Sequence, residues 1–375
     1  MCIRDRLYSG QSTFFEKLKS VDFLLILIVI IIGVVSCLAM YSTDGGNVLY
    51  YTKSHVIRFG IFFLLFLVMS FIHTRIWHTL GYIFYAISLF MLAWALYFGV
   101  SVSGSQRWID LYFLNFQPSE LMKIAIIVCF SKYYHRVQSS DVQHIKYIIQ
   151  PIVLLILPIF LVISQPDLGT SILIALTGIS VMWLAGLNVK YFVYSALLFL
   201  VTAPFVISIL KPYQKIRILT FLNPERDPLG AGYQIIQSKI AVGSGGLYGK
   251  GFLKGTQSYL EFLPEKHTDF IFTLFSEEFG FIGSVLLLLL YALLIYRIIL
   301  IGLAVKSSFA KFYCFGFASA IFIYISINMS MVLGLLPIIG SPLPIMSYGG
   351  SSMLATMIGL SIVMSCKIYR KELII

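Results

Sequence analysis

Ionisable residues are rare in this chain, so each one embedded in an apolar stretch needs a chemical reason. The run LEFLPEKHTDFIFTLFSEEFG, residues 260–280, holds the densest group. Asp269 stands where a polar stretch meets a long apolar one. A carboxylate there touches water on one side and a low dielectric on the other, a setting that suits a general base. Glu265, Lys266 and His267 lie close in sequence. Thr268 and Asp269 would equally suit the cap of a helix, and the residues alone leave both readings open. Glu277 and Glu278 follow roughly 12 Å further along a helix at 1.5 Å per residue. Two adjacent carboxylates do not both face lipid cheaply, so at least one should line a hydrated cavity or meet a cation.

Three more clusters carry potential chemistry. In GSQRWIDLYFLNFQPSELMKI, residues 104–124, Pro118 suits a first helical turn, and Glu120 and Lys123 share a helix face. They read as a buried ion pair beside a polar cavity or as an interfacial pair that snorkels. Arg107 offers a planar fork for phosphate, or is a solvated loop charge. In SQPDLGTS, residues 164–171, Asp167 is a candidate ligand for a metal or a sugar hydroxyl, or a helix N-cap. In LPIIGSPLPIMSYGGSSM, residues 336–353, Ser347, Gly349, Gly350, Ser351 and Ser352 open an apolar run. A glycine-rich helix start admits an anion such as pyrophosphate, although capping by Ser347 explains the same residues.

These residues need a scaffold, and composition says which kind. Of 375 residues, 59% are hydrophobic and 11% charged, with a net charge of +11. Mean hydropathy is +0.92. That excludes a soluble enzyme, a disordered chain and a nucleic-acid-binding domain. A membrane core about 30 Å thick needs about 20 apolar residues per helix. Ten segments qualify, at 21–41, 55–73, 77–99, 118–135, 146–164, 168–186, 190–210, 270–303, 311–333 and 347–369. The eighth is too long for one straight crossing: either Gly280 and Gly283 kink it or its first turns stand outside the bilayer. The expected fold is an all-α integral membrane protein with ten transmembrane helices.

Lys and Arg set the orientation. With the N-terminus inside, the inner segments hold thirteen, from Lys17 and Lys19 to Arg370 and Lys371, while Lys53 and Arg107 are the clear outer ones. Both termini are therefore expected in the cytoplasm. The organisation reads as a tail over 1–20, helices 1–7 over 21–210, a large extracytoplasmic loop over 211–269, helices 8–10 over 270–369 and a tail over 370–375. The loop is cationic through Arg226, Lys239, Lys250 and Lys254, and its many glycines suggest mobility. Tyr233–Val242 suits a short amphipathic helix at the interface. The five cysteines lack CxxC spacing and imply neither a disulfide framework nor a metal site.

Taken together, QRWIDLYFLNFQPSELMK, SQPDLGTSIL, NPERDPLGAGYQIIQSKIAVGSGGLYGKGF, LPEKHTDFIFTLFSEEFG and PLPIMSYGGSSM closely resemble the SEDS family (RodA, FtsW, SpoVE). QRWIDL and the NPERDPLGAGYQIIQSKIA run favour its elongation branch. The resemblance covers roughly residues 20–370, and the first ten residues lie outside it. It implies an inverting peptidoglycan glycosyltransferase that polymerises lipid II at the outer face of the bacterial cytoplasmic membrane, for cell elongation and rod shape. It implies a class B penicillin-binding protein and elongation-complex membrane proteins as partners. A lipid II flippase and a non-catalytic scaffold are the alternatives. The family's essential aspartate maps to Asp269 and its Glu–Lys pair to Glu120 and Lys123. Arg107, Arg217, Lys239 and the Ser347–Ser352 turn are candidates for the pyrophosphate. Asp167, His267, Glu277, Gly349, Gly350 and Ser351 complete the expected cavity. A divalent cation, Mg or Mn, is a candidate at Asp269, its identity left open, and no organic cofactor and no nucleic acid are expected.

Overall fold

A computed structural model describes residues 14–102, 105–110, 115–138, 140–209, 215, 219–221, 223, 231–256 and 265–374. The chain is mostly helical. The helices are α1 (Phe14–Lys19), α2 (Phe23–Thr43), α3 (Tyr50–Met69), α4 (Thr74–Phe98), α5 (Pro118–His135), α6 (Ile145–Ser164), α7 (Leu168–Leu184), α8 (Val189–Ile209), α9 (Ala231–Ser244), α10 (Ile271–Ala304), α11 (Ser308–Val332) and α12 (Gly350–Ile368). Among the described residues, seven are long and apolar enough to cross a membrane: α2, α3, α4, α6, α10, α11 and α12. Of the remaining candidate segments, α5 carries Glu120, Lys123 and Lys132, and α7 has only 17 residues.

Helix α5 explains the arrangement. It runs from Pro118, with Gln117 at its N-cap, and is buried along almost its whole length. Its neighbours are α4, α7, α11 and α12. A central helix that lipid never reaches can carry charges, because other helices supply the partners. The outer helices show the reverse. Leu27 and Val34 on α2, Phe90 on α4, Phe160 on α6 and Leu289 on α10 are exposed, as apolar side chains facing lipid should be.

The wholly helical expectation needs one correction. Strands β1 (Val100–Val102), β2 (Ser105–Asp110) and β3 (Asn115–Phe116) form a small antiparallel sheet in the order β1-β2-β3. The stretch is rich in β-branched and aromatic residues and too short and polar to span. Val100 pairs with Trp108 and Ser101 with Gln106. Arg107 is thus the extra residue of a bulge, a device that re-aims a side chain.

The kink falls at Gly280, whose φ of 66° and ψ of −163° interrupt α10. Such a break orphans backbone groups that must find partners elsewhere. The glycine-rich turn supplies them. Phe281 N–H donates to Gly246 O at 2.9 Å and Ile282 N–H to Leu247 O at 3.1 Å. In return Lys250 N–H donates to Glu277 O and Gly251 N–H to Glu278 O, both at 3.0 Å. A Cβ on Gly249 would collide with the Glu278 carbonyl oxygen. These glycines serve close backbone approach, not the mobility expected of them. Of the loop expected over 211–269, most of 211–230, with Arg217 and Arg226, and all of 257–264 lie outside the described residues. Helix α9 packs on α10 and α11, with Ser238 Oγ bonded to Thr273 Oγ1 at 2.9 Å. It belongs to the bundle instead of lying free on the membrane surface.

Candidate active site

Four helices begin at the same place. The starts of α5, α7, α10 and α12 surround a cavity of about 700 Å³. Each helix N-terminus carries a partial positive charge of roughly half a unit. The chamber therefore favours an anion before any side chain is counted.

Asp269 stands on its wall, just ahead of α10. The N-cap position of that helix is Phe270, with no side-chain cap, so the capping role open to Asp269 in the sequence is not the one it fills. Its backbone is held from behind. Asn328 Nδ2, buried on α11, donates to Asp269 O at 2.9 Å and to Ser341 O at 2.6 Å. Gly340, in the left-handed region at φ 75°, presents its bare Cα toward the carboxylate: a Cβ there would sit 3.5 Å from Asp269 Oδ2.

Opposite lies a second charged group. Asp167 caps α7 by accepting from Thr170 N–H at 3.1 Å, and its other oxygen accepts from Arg107 Nη1 at 2.6 Å and Gln117 Nε2 at 3.2 Å. The cap reading of Asp167 is met, its second oxygen is held by Arg107 and Gln117, and Arg107 is a half-buried, paired charge, not a free loop one. Glu120 also lines the cavity. Its partner Lys123, 2.8 Å away, is buried, with Nζ 4.5 Å from the Tyr324 ring centroid. This is the buried pair, not the snorkelling one.

The α12 side is glycine-led. Gly349 is the N-cap and makes no side-chain cap bond. Ser347 does not cap; its hydroxyl accepts from Leu343 N–H at 2.7 Å and closes its own turn. Ser351 Oγ accepts from Gln117 N–H at 2.9 Å and donates to Asn115 O at 3.0 Å, tying α12 to β3. Gly349, Ser351 and Ser352 face the cavity, and Gly350 is the first residue of the helix behind them.

The cavity thus gathers Asp269, Arg107, Glu120, Asp167, Gly349 and Ser351. Lys239 lies on the exposed side of α9 against Gly334, although Gln234 of the same helix reaches the wall. His267 stacks on Tyr51 at a centroid distance of 3.9 Å, and its carbonyl accepts from Tyr348 N–H at 2.8 Å; it builds the wall through Tyr348. Glu277 is fully buried and pairs with Lys250 at 2.7 Å. Sequence reasoning missed Asn328 and gave Gln117 no role beyond the helix entry. A lone amide inside the apolar run IFIYISINMSMV was the available signal for the first.

Among the described residues, no three His, Cys, Asp or Glu side chains gather as a metal-ligand set. Two of the cavity's carboxylates, Glu120 and Asp167, already hold cations.

The FtsW/RodA/SpoVE family profile, described as cell cycle protein, matches residues 18–372. The chain belongs to this family. Peptidoglycan glycosyltransferase MrdB of Escherichia coli K12 is 41% identical over 368 residues, covering 97% of this chain and 98% of that one. Stage V sporulation protein E of Bacillus subtilis is 34% identical, covering 95% and 99%. A chain from a peptidoglycan synthase complex, described for its structural coordination of polymerization and crosslinking, is 31% identical with a TM-score of 0.80, covering 93% and 98%. The Thermus thermophilus rod shape determining protein RodA superposes with a TM-score of 0.71 at 25% identity, covering 94% and 98%. The fold is that of RodA, and this FtsW/RodA/SpoVE family member is a multi-pass protein of the bacterial cytoplasmic membrane.

Proposed function

We propose that this chain is an inverting peptidoglycan glycosyltransferase that polymerises lipid II at the outer mouth of its cavity. The observation that carries the reading is Asp269 at the wall of a chamber ringed by four helix N-termini. In the reaction, the acceptor GlcNAc 4-hydroxyl oxygen bonds to the anomeric carbon of the donor MurNAc. The bond from that carbon to the polyprenyl pyrophosphate breaks, and its electron pair leaves with the phosphate. The hydroxyl proton passes to the Asp269 carboxylate. An α-linked donor gives a β-linked product by one displacement, so no glycosyl-enzyme is needed.

The helix starts and Arg107 stabilise the leaving pyrophosphate. Glu120 and Lys123 shape the floor. Magnesium or manganese, a candidate at Asp269, has no set of three His, Cys, Asp or Glu ligands among the described residues. Hard cations of this kind take several oxygen ligands.

The orientation completes the proposal. Ten spans, both termini in the cytoplasm and the 211–269 loop outside put the cavity outward. The opposite end gathers Lys132, Arg136, Arg297, Lys367 and Arg370, as the positive-inside bias requires. A class B penicillin-binding protein crosslinks the strands as partner, alongside the elongation-complex membrane proteins. The flippase alternative wants its carboxylates on a path through the midplane. Glu277 and Glu278 are instead engaged by Lys250 and Ser42.

The test is polymerisation of lipid II by the purified protein with its cognate transpeptidase, wild type against Asp269→Asn. Long strands from the wild type and none from a folded variant are expected. A folded wild-type complex that makes none, yet moves lipid II across vesicles, overturns the proposal.

A further inference from the structure

The end of the bundle opposite the cavity has a second concave site. It is a pocket of about 250 Å³ between the α1–α2 connection, α10 and α12. Lys19, Arg297, Lys367 and Arg370 line it, with Asp22 as its single acid among the described residues. Asp22 caps α2 by accepting from Leu25 N–H at 3.0 Å and also engages this group. It accepts from Arg297 Nε at 3.0 Å and from Nη2 at 2.7 Å, and Lys367 Nζ stands 3.7 Å away. Four cations against one carboxylate leave an excess of three positive charges around one small volume.

The rim has a different character. Phe23 and Leu24 belong to the same pocket and are exposed. Phe15 and Leu18 of α1, just before it, are exposed as well. Apolar side chains beside a concave group of cations match a molecule with an anionic head and hydrocarbon tails. Basic pockets between transmembrane helices on the cytoplasmic side suit such headgroups.

We propose that this pocket binds the phosphoryl headgroup of an anionic phospholipid in the cytoplasmic leaflet. Arg297 and Lys367, oriented by Asp22, form its inner wall. Lys19 and Arg370, both exposed, close over the phosphate from the water side. Phe23 and Leu24 meet the acyl chains. The lipid thereby fastens the N-terminal helix to α10 and α12. The assignment of the leaflet rests on the orientation proposed above, whereas binding itself does not.

The experiment uses the full chain in neutral detergent, titrated with dioleoyl phosphatidylglycerol, bound lipid being counted by native mass spectrometry. Each surface basic side chain contributes about fivefold to anionic-lipid affinity, so Lys19→Gln with Arg370→Gln should weaken binding about 25-fold. Lys19→Arg with Arg370→Lys should restore it. Lys146→Gln with Lys190→Gln removes the same charge at the starts of α6 and α8 and should change binding less than twofold. Equal loss in both doubles would mean bulk attraction and overturn the site. So would equal affinity for phosphatidylcholine. Inorganic phosphate at the lipid's concentration should not compete; full competition would make the ligand a soluble phosphate and overturn the lipid assignment. None of these outcomes depends on lipid II polymerisation, so failure here and failure of the catalytic reading are separable.

Discussion

Asp269 and Glu277 stand eight residues apart at one end of the same chain segment, and they have opposite duties. Asp269 precedes α10 and faces a chamber. Glu277 lies inside α10, fully buried, and accepts from Lys250 Nζ at 2.7 Å and Thr256 Oγ1 at 3.0 Å. Both are acids beside apolar residues, and sequence alone offered both for the cavity. What separates them is the break at Gly280. There the chain turns back a glycine-rich segment that brings Lys250 to Glu277. One carboxylate stands on the cavity wall while the other holds the loop.

The sharpest way to break this comparison is to remove each charge and read two observables. Asp269→Asn should lower polymerisation by about 10²- to 10⁴-fold, the usual worth of a general base, with the melting temperature unchanged. A variant that melts early but polymerises normally per folded molecule would exchange the two roles.

Lys250→Met attacks the other side. It takes the cation from a fully buried carboxylate, a loss that costs at most about 3 kcal/mol because Lys250 is partly exposed and Thr256 still donates to Glu277. Thermal unfolding in detergent should show the loss, with residual activity per folded molecule retained. Adding Glu277→Leu should recover part of it, since the orphaned charge goes too. No recovery in the double variant would mean that Lys250 acts through something other than Glu277.

A smaller effect tests the cavity's far wall. Arg107→Ala removes a charge-assisted bond to Asp167 and the fork proposed to stabilise the leaving group. A bond of that kind is worth about 1.5–3 kcal/mol, so kcat/KM for lipid II should fall about tenfold or more. Asp167→Asn keeps Arg107 charged and should cost less. The reverse order would place Asp167, not Arg107, at the substrate.

Much of this was legible beforehand where the signal is local. Pro118 marks the start of α5, and the 118–135 segment is the helix Pro118–His135. Glu120 and Lys123, three apart, meet as helical spacing requires. A run too long for one crossing offered a kink at Gly280 and Gly283 as one of two readings, and the break is at Gly280. Pairings between distant residues were not legible. Arg107 meets Asp167 across 60 positions through a bulge in a sheet that helical periodicity never suggests. Asn328 looks like one polar residue in an apolar run until α11 passes behind Asp269. Glycines misled for the same reason: a glycine for flexibility and a glycine for close approach look alike until the second backbone is in place.

The smallest effect concerns the far end of α10, where Arg297 reaches Asp22 just ahead of α2. Burial pushes the Asp22 carboxyl up. The hydrogen bonds from Arg297 and from Leu25 N–H, with the charges of Arg297 and Lys367, more than offset it and hold the group below its ordinary value of 3.8. A folded-state pKa lower than the unfolded one means that Asp22 contributes stability in full above pH 3.8, and that the contribution drains as pH falls through the folded value. Thermal melts of wild type and Asp22→Asn should therefore differ by a constant amount from pH 8 to about pH 5 and converge in stronger acid. Polymerisation at neutral pH by the folded fraction should be untouched, because Arg297 and Asp269 sit at opposite ends of α10. A gap that widens on acidification would reverse the sign and show that the Asp22 carboxylate is tolerated there, not stabilising.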